Sequence, residues 1–427
     1  MEDGPEHGTP KRGGPVTRRR ALALGAGGAA VLLGGGATLL GASSGDDGPR
    51  PARAGEGTAV FDPAQAAALL GNRARAVRSG DRAAFLATVA SAPAAFQDAQ
   101  SRMYGNLRRL PLERWEERVV APQATDGETG TVVVRVEVRH RLRGFDRGDV
   151  VRTRHLALTP RSGTWTVAGD GSPHGFEDDP EIWDGGDLTV AEGRASLVIG
   201  DAPGLAEVAR RLDKAVPVVT GVVGGRWARR VVALAPADAD RASALAGPGQ
   251  RLDEVAALAA VTPSAGGARG EDRVVISPAT FGRLNDLGRD VVLTHELTHV
   301  ATGGARDRTT PLWLIEGFAD YVGYLRTNVT VRSAAAELRR EVAEGRVPSA
   351  LPGADAFGAG SARLSQAYQE SWLACRMVAD RYGEATLVRL YRAAGRNPEA
   401  TALREVLGLT RVRFTALWRD YLKRELT

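Results

Sequence analysis

The hydrophobic pattern changes period along the chain, and the changes divide it. Residues 57–109 carry helical spacing. In "FDPAQAAALLGNRARAVRSGDRAAFLATVAS" the apolar positions Ala66, Leu69, Leu70, Ala76 and Val77 fall on one face, and Ser79-Gly80-Asp81 breaks the run before a second helix. From about 115 the period shortens. "TVVVRVEVRHRLRGF" (131–145), "DVVRTRHLALTP" (149–160) and "TWTVAGD" (164–170) alternate apolar and polar residues, as half-buried antiparallel strands do. Turns fall at 144–148 and 161–163. From 188 a second unit begins. Strands are expected at 194–200, 227–236 and 272–281, with a helix within 205–224. A further helix runs from about 286 to 302 and stops at Gly303-Gly304, where glycine tolerates the left-handed cap. Everything after 305 reads as helical. Strands first and helices after give an α+β fold.

The beginning of the chain has a different character. Residues 1–17 are polar, rich in Gly and Pro, and read as a disordered cytoplasmic tail. Arg18, Arg19 and Arg20 precede 25 uncharged residues, 21–45, and Asp46 and Asp47 follow. That length is enough to span a hydrocarbon core of about 30 Å, and the arginines place the tail inside and the rest outside. Residues 18–45 are therefore either a retained transmembrane anchor or a cleaved export signal. Thr17-Arg18-Arg19 ahead of a glycine-rich, weakly apolar run resembles a twin-arginine signal. Residues 46–56 read as a linker. The expected location is extracytoplasmic, at the cell membrane or secreted.

Composition narrows the chemistry. The net charge is +5, and no dense basic patch with interleaved aromatics appears, which argues against nucleic-acid binding. Arg greatly outnumbers Lys, and with the heavy Ala and Gly usage this points to a GC-rich, bacterial genome. The single cysteine, Cys375, excludes an intrachain disulfide and reads as a buried small hydrophobe. Arg147-Gly148-Asp149 spells an adhesion tripeptide but falls in a strand turn, where it reads as accidental. His140 and His155 on the strands, and His174 after them, have no ligand-type neighbours in the sequence.

Two further histidines lie in "VVLTHELTHVATGG" (291–304). His295-Glu296-Leu297-Thr298-His299 is H-E-x-x-H, in a chain with only 6 His among 427 residues. On a helix His295 and His299 lie one turn apart on one face and can aim at one point. Glu296 sits beside that point, where a carboxylate can accept a proton from water. Two histidines can also share a helix face for packing alone, so the third ligand decides. No histidine follows His299, and position 305 is Ala, so the ligand is a carboxylate or Cys375. Asp307 is one option. In "TTPLWLIEGFADYVGYL" (309–325), Thr310 is expected to cap a helix and Pro311 to open it. Glu316 and Asp320 then share a face, and Gly317 leaves room for a neighbouring helix.

Two resemblances follow from these segments. Helices followed by a curled antiparallel sheet over 57–175 resemble the cone fold of nuclear transport factor two-like domains, which implies a binding or spacing module. H-E-x-x-H followed by W-x-x-E-G-x-A-x-Y over 188–427 resembles the gluzincin metallopeptidases, the group of thermolysin and the zinc aminopeptidases. That resemblance implies His295, His299 and Glu316 as zinc ligands and Glu296 as general base. It implies Asp320 as the carboxylate that orients a ligand histidine, and a peptide or protein as substrate, paired along strand 272–281. The transition-state histidine of thermolysin has no counterpart, so its role passes to a tyrosine. "LSQAYQESWLACRMVADRYG" (364–383) resembles the helix carrying such a tyrosine in related families, which points to Tyr368. The glycine-methionine-glutamate signature of the aminopeptidases is absent. The alternative is a membrane-tethered binding module whose zinc site is structural or vestigial, closed by a fourth protein ligand such as Cys375 or Asp307. The amphipathic C-terminal segment, with Val412, Phe414, Leu417, Trp418, Tyr421 and Leu422 on one face, reads as a closing core helix.

Overall fold

A computed structural model describes residues 60–427 except 251, 253–254, 265–269 and 359. The expected tail, membrane or signal segment and linker lie outside the described residues. Among those described, no helix is long and apolar enough to cross a membrane.

The chain opens with α1 (Pro63–Ser79), α2 (Arg82–Ala87) and α3 (Ala94–Arg109). Asp62 accepts from the amides of Ala64 and Gln65, and Pro63 fits the first turn. Gly80 closes α1 at φ 80°, a conformation that suits glycine. A four-stranded antiparallel sheet follows in chain order: β1 (Leu112–Thr125), β2 (Val132–Leu142), β3 (Val150–Arg161) and β4 (Thr164–Asp170). Alternate residues of β2, including Val134, Val136 and Val138, are buried beneath the helices together with Trp115, Leu158 and Val167.

The second unit has a five-stranded mixed sheet in the order β5-β6-β7-β9-β8. Its strands are β5 (Thr189–Glu192), β6 (Ser196–Gly200), β7 (Val231–Ala235), β8 (Ala257–Val261) and β9 (Asp272–Ile276). Helix α4 (Leu205–Val223) crosses between the parallel pair β6 and β7, and α5 (Ala239–Ala246) and α6 (Pro278–Phe281) are short connectors. Then come α7 (Asp286–Thr302), α8 (Leu312–Tyr324), α9 (Val331–Ala334), α10 (Ala336–Ala343), α11 (Leu364–Tyr382), α12 (Glu384–Ala394), α13 (Glu399–Leu407) and α14 (Arg411–Leu426). The fold is mixed α+β with two small sheets.

The strand expected at 272–281 differs from expectation in place as well as length. As β9 it lies between β7 and β8, so its backbone is already paired on both sides. The edge is β8, "ALAAV", which the hydrophobic pattern did not single out. Val412 also departs from expectation. It is exposed on the outer face of α14, while Phe414, Trp418, Tyr421 and Leu422 are buried.

The two units touch through buried polar groups. Asn106 on α3 donates to the carbonyls of Trp183 (3.0 Å) and Gly186 (2.9 Å). Arg273 on β9 pairs with Asp146 at 2.8 Å, both out of solvent. The Glu271 carboxylate accepts from the amides of Arg147 (3.0 Å) and Gly148 (2.9 Å). Asp149 is held by Arg114 and Arg141. All three residues of the adhesion-like tripeptide are thus engaged within the chain. His140 is buried against Trp183 and Trp115, and His155 stacks on Phe176, so both serve packing.

Candidate metal centre

Helix α7 begins where Asn285 accepts the Gly288 amide at 2.8 Å and ends at Gly303, φ 73°. Its residues 291–299 are buried between the second sheet and α8. The segment "VVLTHELTH" is therefore a core helix, buried on all sides although Thr294, His295, Glu296, Thr298 and His299 are polar. Helix α8 lies beside it and against α11. A Cβ at Gly317 would stand 2.2 Å from the Ser371 carbonyl oxygen of α11, and one at Gly323 would stand 3.1 Å from the Val291 carbonyl oxygen of α7. The two glycines let α8 sit between its neighbours at backbone contact, and this brings Glu316 and Asp320 to the histidines. Pro311 is the cap residue of α8. Thr310 does not cap it; its hydroxyl donates to Asp307 at 2.6 Å instead.

Three donor atoms converge. His295 Nε2 lies 2.9 Å from His299 Nε2 and 3.2 Å from Glu316 Oε2, and His299 Nε2 lies 3.5 Å from the same oxygen. Metal–ligand bonds of about 2.0–2.1 Å in a tetrahedron put ligand atoms about 3.3 Å apart, which matches this triangle. All three side chains are buried. Glu316 Oε1 has no hydrogen-bond donor, and Oε2 faces only the two imidazoles. A buried carboxylate so sparsely met carries a large desolvation cost unless a cation meets it. The donor set and its geometry therefore fit a divalent ion. Among the described residues, His295, His299 and Glu316 are the only such group, and neither Cys375 nor Asp307 joins it.

Asp320 Oδ1 lies 2.8 Å from His295 Nδ1. A proton held there leaves the lone pair on Nε2, facing the other ligands. Burial disfavours charge on His295, yet Asp320 and then Glu316 overcome it and hold the imidazole well above its ordinary pKa. For Glu316 burial is likewise the largest influence, but the two histidines outweigh it and bring the carboxyl below its usual range. Burial pushes Glu296 and Asp320 up, with the histidines opposing.

Glu296 is fully buried beside the triangle. Its Oε2 accepts the Ala259 amide of β8 at 2.7 Å, and its Oε1 has no partner. Ala259 is thus a participant that no side-chain pattern reveals. It is an outward-facing residue of the edge strand, because its neighbours Leu258 and Ala260 turn their backbone groups to β9. Gly304 is another. Gly303 ends the helix, but a Cβ at Gly304 would stand 2.7 Å from His299 Nδ1, so the second glycine makes room for the ligand ring.

Tyr368 on α11 is buried, its ring centroid 6.3 Å from that of His295 and 5.4 Å from that of Phe357. Cys375, about two helix turns further along α11, is buried, and burial pushes its thiol well above its ordinary pKa. Asp307 caps the turn at 309–310 through its carboxylate. Placed against known proteins, the chain stands apart: no family model, no curated protein and no solved structure matches it.

Proposed function

We propose that this chain is a zinc-dependent peptidase of the H-E-x-x-H…E type, similar to the gluzincins, acting outside the cytoplasmic membrane. The observation that carries the reading is the open triangle of His295, His299 and Glu316 with Glu296 beside it. Among the described residues three protein donors meet with no fourth, which leaves a coordination position free, as in a catalytic rather than a structural zinc site. The same observation counts against the structural form of the binding-module alternative, in which a fourth protein ligand closes the site.

When bound, zinc supplies Lewis acidity at the scissile carbonyl and at the attacking water. The rest belongs to this chain. His295, His299 and Glu316 hold the ion, and Asp320 fixes the His295 tautomer. Glu296 takes the proton from the water on its unpartnered Oε1 and delivers it to the departing amine. The Ala259 amide keeps the other oxygen, Oε2, turned to the edge strand, so the carboxylate is oriented before substrate arrives. Strand β8 takes the substrate-pairing role expected of strand 272–281, since Ala257, Ala259 and Val261 point backbone groups away from β9. Tyr368 serves as the oxyanion donor. The first unit acts as a nuclear transport factor two-like module, and residues 18–45 deliver or anchor the chain.

The test is hydrolysis of an unbiased peptide mixture by the zinc-loaded full chain beside Glu296→Ala. The reading expects cutting by the wild type and a loss of about 10²–10⁴-fold in the variant with zinc retained. Equal cutting by both proteins, or cutting that survives removal of the metal, would overturn it.

A further inference from the structure

A cavity of about 520 Å³ opens at the C-terminal end of α7. Its floor is the last turn of α7, at Ala301 and Thr302, together with Phe318, two residues beyond Glu316. Tyr391 of α12 ties the two together: its ring lies 4.6 Å from that of Phe318, and its hydroxyl donates to Thr302 Oγ1 at 3.3 Å. The walls come from the end of α4, the loop after it, α12 and α13.

The lining is unusual in its polarity. Four arginines, Arg226, Arg389, Arg392 and Arg396, surround the opening, and no carboxylate lines it. Arg392 is anchored through one nitrogen to the Val223 carbonyl at 2.7 Å, and Arg389 through one nitrogen to Thr386 at 3.0 Å. Each keeps further donors for a guest. Trp227 adds an indole N–H that is buried and without a partner. The hydroxyl of Tyr391 is already spent on Thr302. The groups left to meet a ligand are therefore donors, from guanidinium and indole. Between them the surface is apolar, formed by Val223, Phe318, Val388 and Val406. An arginine offers a planar fork that suits carboxylate or phosphate, and four such forks in one sign also concentrate an anion. The volume lies within the range of small-molecule sites, about 300–1,000 Å³.

We propose that this cavity is a binding site for a small amphiphilic anion, a carboxylate or phosphate head carried on an aromatic or aliphatic body. The head meets Arg389 and Arg396 at the mouth, and the body lies on Phe318 and the valines. The site is separate from the metal triangle and stands whether or not the chain is a peptidase.

Calorimetric titration of the full chain with 4-phenylbutyrate, phenyl phosphate and the uncharged 4-phenylbutanol tests it. Saturable one-to-one binding of at least one anion is expected, with the alcohol roughly tenfold weaker or worse. The tighter of the two anions identifies the head group. The double variant Arg389→Gln/Arg396→Gln should weaken the anion by a similar factor, while Arg339→Gln, a remote exposed arginine on α10, should leave it unchanged. All three arginines are exposed, so folding is preserved, and an unchanged thermal midpoint verifies it. Absence of saturable binding by both anions, equal binding of the alcohol, or equal binding by the double variant would each overturn the proposal.

Discussion

Two of the places where the molecule buries charge handle it in opposite ways. In the first unit Arg73 and Glu117 lie almost wholly out of solvent, paired at 3.2 Å. Thr88 accepts from Arg73 at 3.0 Å, Gln100 accepts from it as well, and Trp115 donates to Glu117 at 3.1 Å. The guanidinium also lies 4.0 Å from the Phe85 ring centroid. One cation meets one anion, and both carboxylate oxygens are met. In the second unit Glu296, Glu316 and Asp320 are buried together with only two imidazoles as counter-charges. Two carboxylate oxygens there lack hydrogen-bond donors, Glu296 Oε1 and Glu316 Oε1, and Glu316 Oε2 meets only the imidazoles. A closed cluster is a structural device. An open one with surplus negative charge, aimed at a point, is a site that a cation completes.

That contrast can be broken by substitution. Glu117→Ala leaves Arg73 buried without its counter-ion and should cost about 3–5 kcal/mol of stability, read by urea denaturation. A loss below about 1 kcal/mol would mean that water replaces the carboxylate and that the cluster is not closed. Asp320→Asn sharpens the other side. The oxygen near His295 Nδ1 remains, but the charge that supports the ligand ring is gone, so zinc affinity should fall about 10–100-fold with little change in metal-free stability. Unchanged affinity, measured by competition with a chromophoric chelator, would remove Asp320 from the site.

The smallest effect concerns a third buried pair, Glu181 and Arg152 at 2.6 Å. Burial raises the Glu181 pKa from 4.5 to about 7, against the pull of Arg152. The folded chain therefore keeps a proton that the unfolded chain releases. This contribution favours folding below pH 4.5 and is lost as the pH rises through about 7. Glu181→Gln, which cannot ionise, should flatten the fall in thermal midpoint across that window. An unchanged slope would show that Glu181 is ionised in the folded chain throughout.

Much of this was legible in the sequence, for physical reasons that differ by element. Strands β2 and β4 were readable because each has one buried face, so their residues alternate; β3 alternates in sequence although Arg154 to Leu158 are all buried. Helix α7 was readable from its glycine stop, and the convergence of His295 and His299 from helical spacing. Gly317 could be read as a close approach because it sits beside Glu316 on an otherwise apolar helix. Strand β8 was not readable. Ala257 to Ala260 are all buried, so no alternation marks it, and alanine favours helices. Its contribution to the site is a backbone amide, which carries no residue signature. Nor could the arginine-lined cavity be seen, since its lining comes from segments scattered along the chain that only the packing of α4, α7 and α12 brings together. Thr310 looked like a cap by type, but Asp307 holds it in the preceding turn.

The central claim is that the open cluster is a metal site. Its most direct test is the zinc content of the purified full chain, by elemental analysis, beside Glu316→Gln and His299→Ala. One zinc per wild-type chain, with substoichiometric zinc in both variants while Glu117→Gln keeps its full complement, is the predicted result. A wild-type chain that takes up no divalent metal, or equal occupancy in all four proteins, would contradict it.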